Sequence, residues 1–224
     1  MSYPRMKWLT VPSSGSLAGE TASRNRYGQY KRSRAIPVNP NTTFQGAART
    51  RVSVNSAAWR ALTDIQRAGW ESLGSQMSRT DALGQSYTLN GFQAYCSANN
   101  NLSACGDAAV SDAPAIATPA GILTATVTAT AATLSVAYTA TPLAAGVKLM
   151  TFAGPQRSPG KSFEGDFRLI AVSAAAAVSP ANIFTAYQAR LGTPVLGQKI
   201  FFTLQTHKGG FPSGPFMTSV IVTA

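Results

Sequence analysis

The sequence predicts an α+β chain in several parts: an extended basic N-terminal arm, a small helical hairpin region and a C-terminal all-β sandwich of about seven strands. Three observations carry this expectation. Lys and Arg crowd the first quarter, with ten of the 19 at or before Arg60 against a single acid, Glu20. Apolar residues then recur at three- and four-residue steps around Trp59 and Trp70, the period of one helix face. Beyond residue 120 the pattern becomes alternation, in short runs broken by Gly, Pro and Ser, the period of a strand. The resulting division is an arm over 1–42, a helical region over 43–105, a linker over 106–119 and the sandwich over 120–224. A chain of 224 residues accommodates two small domains. Only 12% of it is charged while 45% is hydrophobic, which is too apolar for a disordered chain. So low a charge suits a surface covered by neighbours in an assembly.

Residues 1–23 are rich in Ser, Gly and Pro and show no period, so they read as an arm ordered on binding. Trp8 and Leu9 are its sizeable apolar groups, placed either to anchor a pocket on another subunit or to fold back on this chain's own helices. Arg24, Arg26, Lys31, Arg32 and Arg34 follow within eleven residues, interleaved with Tyr27 and Tyr30. Such a mixture grips single-stranded nucleic acid, with charge on phosphate and rings against bases. It equally suits docking on an acidic protein surface, because guanidinium forks carboxylates as well as phosphates. A solvated basic loop is the plainest alternative. Strand-like alternation runs through Arg26, Gly28, Tyr30, Arg32 and Arg34, weakened by Gly28.

Pro37 and Pro40 exclude a helix across the next connection. Asn41-Thr42-Thr43 supplies an N-cap, and a helix is expected over 43–62. Phe44, Ala48, Val52, Asn55, Trp59 and Leu62 share one face of it, while Gln45, Arg49 and Arg60 point elsewhere. Thr63 and Gln66 form a capping box for a second helix over 64–76, which turns Ile65, Gly69, Trp70, Leu73 and Met77 inward. Trp59, Leu62, Trp70 and Leu73 are the expected core of this hairpin. A short strand over 86–89 and a third helix over 91–102 follow, the latter presenting Phe92, Tyr95, Cys96 and Leu102, with Asn99-Asn100-Asn101 fraying its end. The three helices bury little area, so independent stability is not expected of them.

The segment 106–119 shifts to Ala, Asp and Pro and reads as a linker. Seven strands are then expected, over 122–129, 133–139, 147–153, 167–172, 184–190, 199–206 and 217–222. Their number and spacing suit a Greek-key sandwich of immunoglobulin type, with Phe201, Leu204, Val220 and Val222 facing its core. Cys96 and Cys105 lie outside it, so packing alone must hold the two sheets. The two cysteines are too few for a disulfide scaffold and have no metal-type spacing; free thiols are expected, a small local disulfide being the alternative.

No catalytic constellation is legible, no metal site is predicted, and no cofactor is expected. His207 falls in an expected hairpin loop with no acid or nucleophile beside it in sequence. The eight acids are scattered, and Asp81, Asp107, Asp112, Glu164 and Asp166 lack calcium-loop spacing. Glu164-Gly165-Asp166 reads as a turn. The stretch 154–162 ends in Gly-Lys-Ser but lacks the first glycine of a phosphate loop and a strand-to-helix context. No run is apolar enough to span a bilayer, and the N-terminus has no secretory apolar core.

Two resemblances add to this reading. The final 28 residues, from Gly197, alternate aromatic and aliphatic residues and then pass through Ser213-Gly214-Pro215 into a Val/Thr strand. They resemble the last hairpin of a fibronectin type III domain, which implies a sandwich and little about function. Gly19, Ala22 to Arg26, Gly28, then Pro37, Asn39, Pro40, Thr42, Gln45, then Trp59, Leu62, Thr63, Gln66, Arg67 and Trp70 resemble a family of uncharacterised structural proteins of tailed bacteriophages. That resemblance implies a non-enzymatic virion component, assembled in the host cytoplasm and part of a symmetric homo-oligomer. It does not identify which component; the expected immunoglobulin-like module favours a head decoration or cement protein, then a head–tail accessory, with capsid, portal or tail subunits as partners. Trp8, Arg24, Arg26, Tyr27, Tyr30, Lys31, Arg32, Arg34, Phe44, Arg49 and Arg51 are the expected docking residues. Trp59 to Gln66 also has a passing likeness to the last helix of an HMG box, which would bend DNA through its minor groove. A DNA-binding packaging protein, touching nucleic acid through the arm, is therefore one alternative. An adhesin, using sandwich loops such as 209–214, is the other.

Overall fold

The computed structural model describes residues 15–36, 38–80 and 84–224, and its regular elements are antiparallel sheets and four helices. Trp8, Leu9, Pro37 and Asp81 lie outside them. The chain divides into two units, 1–46 and 47–224.

In the first unit, β1 (Gly15–Leu17), β2 (Glu20–Asn25) and β3 (Gly28–Ser33) form an antiparallel meander in sequence order. Residues 15–33 are therefore a small sheet rather than an extended strap. The reason is local. Thr21 and Tyr30 suit strands, and two-residue turns at Ala18-Gly19 and Arg26-Tyr27 set the register. Ala18 sits at φ 51°, the Asn25 carboxamide oxygen accepts from the Tyr27 amide at 2.9 Å, and the Arg34 amide closes onto the Gly19 carbonyl at 2.8 Å.

Helix α1 (Thr43–Ala61) starts at a reciprocal box, the Thr42 hydroxyl accepting from the Gln45 amide and the Gln45 side chain from the Thr42 amide. Helix α2 (Asp64–Gln76) starts at the expected Thr63–Gln66 box, and a short hairpin, β4 (Ser78–Thr80) with β5 (Ser86–Thr88), leads to α3 (Gly91–Ala104). Asn90 and Gln93 form a third box at the start of α3.

The helical core gathers Leu62, Trp70, Leu73, Ala94, Tyr95, Ala98 and Phe211. Tyr95 links the indoles, 5.2 Å from Trp70 and 5.5 Å from the half-buried Trp59 between ring centroids. Three expectations for these helices fail. Ile65 points outward at 87% exposure, because the turn at Leu62–Thr63 rotates the first turn of α2 away from the core. Val52 is exposed although it shares the face of Trp59 and Leu62, since only the last turns of α1 reach α3; Phe44, expected to dock and not to enter the core, is exposed as well. The asparagine run does not fray. Asn99 is buried and brackets the Val110 backbone with two hydrogen bonds, Asn100 accepts from Asn55, and Asn101 donates to the Gly210 carbonyl.

Two further antiparallel sheets follow. One has the order β10 (Ala181–Asn182), β7 (Leu134–Thr139), β6 (Thr124–Ala129). In the other, β8 (Lys148–Ala153) lies between β9 (Arg168–Val172) and the ten-residue β11 (Lys199–Lys208). The far edge of β11 carries β13 (Phe216–Ile221) along its first half and β12 (Phe211–Pro212) at its end. Val127, Leu134, Val136 and Tyr138 from the first sheet and Leu149, Ile200, Phe202 and Leu204 from the second enter one apolar cluster with Val222. Val220 packs partly buried against it, and Phe201 is buried on the opposite side of β11.

The strand expected over 184–190 is instead α4 (Phe184–Leu191). Phe184, Tyr187 and Leu191 are spaced for a helix face, and all three pack on the cluster, Tyr187 with no exposure. The Ala, Gln and Arg between them favour helix, and that overrides the apparent alternation.

Residues 106–119 contain neither helix nor strand, yet they are pinned on the helices. Val110 and Ala113 pack on the helical core, the Trp70 indole donates to the Ser111 carbonyl at 2.7 Å, and Gln66 donates to Asp112.

Candidate docking surface and a buried polar junction

Residues paired across an antiparallel ladder share a face. In the meander, Thr21 faces Arg32, Ser23 faces Tyr30, Ala22 faces Lys31 and Arg24 faces Gln29. Tyr30 and Arg32 therefore lie on one face, Arg24 and Lys31 on the other, with Arg26 and Tyr27 in the turn. The Arg26 guanidinium stands 5.2 Å from the Tyr27 ring centroid, and Lys31 pairs with Glu20 at 3.1 Å. Both groups of that pair are more than half exposed, so the bond adds little stability. Sequence reasoning grouped these cations as one cluster; the pleat divides them between two faces.

Not one residue of β2 or β3 is buried. Arg24, Arg26, Lys31, Arg32 and Arg34 are exposed, and Tyr27 is 86% exposed. A small sheet whose two longer strands bury no side chain is at best marginal in water. Apolar groups nearby in sequence are also uncovered, with Ile36, Val38, Phe44, Val52 and Val54 all exposed. On α1, Arg49 is exposed and Arg51 half-buried. Of the expected hairpin core, Leu62, Trp70 and Leu73 are buried and Trp59 is half-buried.

Within the second unit the structure assembles a group that sequence spacing hid. His207 is not in a solvated loop. It is the ninth residue of β11, 1% exposed, because the hairpin turns two residues later at Gly209-Gly210, both at positive φ. The turn packs on α3, where the Gly210 backbone approaches Ala98 so closely that a Cβ on residue 210 would lie 2.9 Å from the Ala98 Cβ. This approach brings His207 Nδ1 to 3.2 Å from Cys105 Sγ, at the C-cap of α3. Asp107 stands beside them, and one ligand atom from each of Cys105, Asp107 and His207 lies within 4.8 Å of the others. Lys148, from β8, donates to the Asp107 carboxylate at 2.6 Å and to the Cys105 carbonyl at 2.9 Å. Burial pushes the Cys105 thiol up, Asp107 adding to that effect, and burial pushes His207 down against the opposing charge of Asp107. Thiol and imidazole are thus both held neutral. His207 Nε2 is buried with no hydrogen-bond partner among the described residues. Residues 105 and 207 are too far apart in sequence for any motif to announce the pair; the glycine pair that folds the hairpin back was the available signal. Cys96 and Cys105 are both free thiols.

A second polar group closes the loop after β8. Glu164 is buried and accepts from Arg157, from Lys161 and from the backbone amides of Gly165 and Asp166. The Arg157 guanidinium, then the Asp166 amide, hold its carboxyl far below the usual carboxylate range. With its oxygens occupied in this way, Glu164 serves the turn.

No family model matches the chain, and no curated protein or solved structure shows significant similarity to it.

Proposed function

We propose that the protein is a non-enzymatic structural component of a tailed-phage virion, a head decoration or cement protein or a head–tail accessory. It docks on capsid, portal or tail subunits through the basic meander and α1. The observation that carries this reading is the meander itself: two six-residue strands, no buried residue in either, and a cation-rich surface on both faces. Such a sheet gains stability when a partner covers it, and acidic subunits would seat Arg24, Arg26, Lys31, Arg32 and Arg34 on carboxylates. Phe44, exposed on α1, supplies an apolar anchor beside them in sequence. The sheets after residue 120 fit the same reading as a divergent immunoglobulin-like sandwich, presented outward or against a neighbouring copy in a symmetric assembly.

DNA binding is the second reading, favoured by Tyr30 and Arg32 sharing a face as a stacking platform would require. Phosphate contacts predict duplex affinity that falls steeply with salt, while protein docking predicts none at physiological salt. A salt titration of labelled duplex and single-stranded DNA separates the two: tight binding that weakens steeply with salt would displace the docking proposal. An adhesin reading depends on exposed aromatics in 209–214, and Phe211, the aromatic there, is buried in the helical core.

A further inference from the structure

The junction between α3 and the β11–β12 hairpin has the composition of a transition-metal site. Cys105 and His207 supply a thiol and an imidazole 3.2 Å apart, and Asp107 supplies a carboxylate within 4.8 Å of both. In tetrahedral zinc, bonds of about 2.3 Å to sulfur and about 2.0 Å to nitrogen separate those two ligand atoms by roughly 3.5 Å. The pair therefore needs a shift of only a few tenths of an ångström to accept the ion. Soft thiolate with imidazole selects zinc and its neighbours over magnesium or calcium. The ligands rest on rigid supports: Cys105 caps a 14-residue helix and His207 lies within the central strand β11. Asp107 is the side open to solvent, its side chain 38% exposed, which provides an entry path.

Lys148 bears directly on this site. Its ammonium already holds the Asp107 carboxylate and the Cys105 carbonyl, at 2.6 and 2.9 Å. It stands as the resident cation, balancing the carboxylate and competing with an incoming ion.

We propose that Cys105, Asp107 and His207 form a three-ligand site for a zinc-class divalent cation, with water completing the tetrahedron and Lys148 displaced from Asp107 on binding. Binding exchanges the thiol proton for the metal: the S–H bond breaks, the proton leaves to solvent, and sulfur bonds the ion while Nδ1 and a carboxylate oxygen donate lone pairs. No electron is transferred. An ion held there ties the end of the helical region to the hairpin, stabilising the interlock between helices and sheets. The site is independent of virion docking, so either proposal stands if the other falls.

The test is titration of the full-length, metal-stripped protein with cobalt(II) and then zinc alone. Expected are one equivalent of cobalt bound with a thiolate-to-cobalt charge-transfer band in the near ultraviolet, loss of that band on adding zinc, and a rise in melting temperature with zinc. Cys105→Ser loses the band while Cys96→Ser keeps it. Asp107→Asn, at a half-exposed position that folding tolerates, weakens binding at least tenfold. Lys148→Met binds at least as tightly as the parent. Absence of both the band and the zinc-induced shift in the parent protein overturns the proposal. So does a band that survives Cys105→Ser.

Discussion

Phe211 sits in β12 yet is buried, 5% exposed, in the helical core with Leu62, Trp70, Leu73 and Tyr95. The hairpin is thus a plug that joins the helices to the sheets, and Phe211→Ala pulls it out. A buried ring removes roughly 150 Å² from water, about 3.8 kcal/mol at 25 cal/mol/Å². Alanine recovers part of that and the cavity adds to the loss, so the net cost is about 3–4 kcal/mol. With a urea m-value of about 2 kcal/mol/M, the midpoint falls by roughly 1.5–2 M. The assay is urea unfolding followed by tryptophan fluorescence, which Trp59 and Trp70 make sensitive to the helices, and by far-UV circular dichroism. In the parent protein the two curves coincide. In the variant the fluorescence transition moves first and the curves separate, because the three helices bury too little area to hold alone. A loss under about 1 kcal/mol with coincident curves would refute the reasoning and show that the helices fold without the plug.

Two further predictions concern the same architecture. Gly210→Ala, at φ 95° with its Cβ 2.9 Å from Ala98, costs about 2–4 kcal/mol, while Gly209→Ala, at φ 58° with open space around it, costs about 1 kcal/mol; thermal melts of the pair measure the difference. Glu164 is held with a folded pKa below its ordinary 4.5, so its contribution is present above about pH 4.5 and is lost as pH falls toward the folded value. Glu164→Gln therefore melts below the parent at pH 7, and the gap between them narrows as pH drops below 4, which melting curves from pH 7 to 3 would reveal.

The parts of the fold that were legible in the sequence are those governed by neighbouring residues. Thr63–Gln66 and Asn90-Gly91 marked helix starts because a capping side chain and its amide are three residues apart. Six expected strands appear at nearly the expected bounds, since alternation in 124–129 or 199–208 leaves little choice of period. Where two periods competed, the reading failed: Phe184, Tyr187 and Leu191 support a helix as well as 184–190 supports a strand, and packing on the core decided it. Long-range geometry was invisible. Gly209-Gly210 signals a turn after His207, but the sequence does not show that the turn sets it against Cys105, 102 positions earlier. The same turn converts Phe211 from a loop aromatic into the hairpin's plug. Asn99, Asn100 and Asn101 looked like a fraying end because their partners, the Val110 backbone, Asn55 and the Gly210 carbonyl, lie on other elements. The cations proposed for docking were legible as composition, and the pleat of β2 and β3 divides those it carries between opposite faces, which composition has no means to do.

The docking proposal rests on the cations of the meander, and co-sedimentation with phage particles assembled without this protein tests it most directly. Arg32 and Arg34 are exposed, so their reversal leaves the second unit folded, and the melting temperature verifies that. The account predicts saturable binding of the parent protein and a loss of at least tenfold, about 1.4 kcal/mol or more, for Arg32→Glu with Arg34→Glu. Equal binding of the parent and the charge-reversed protein would contradict it.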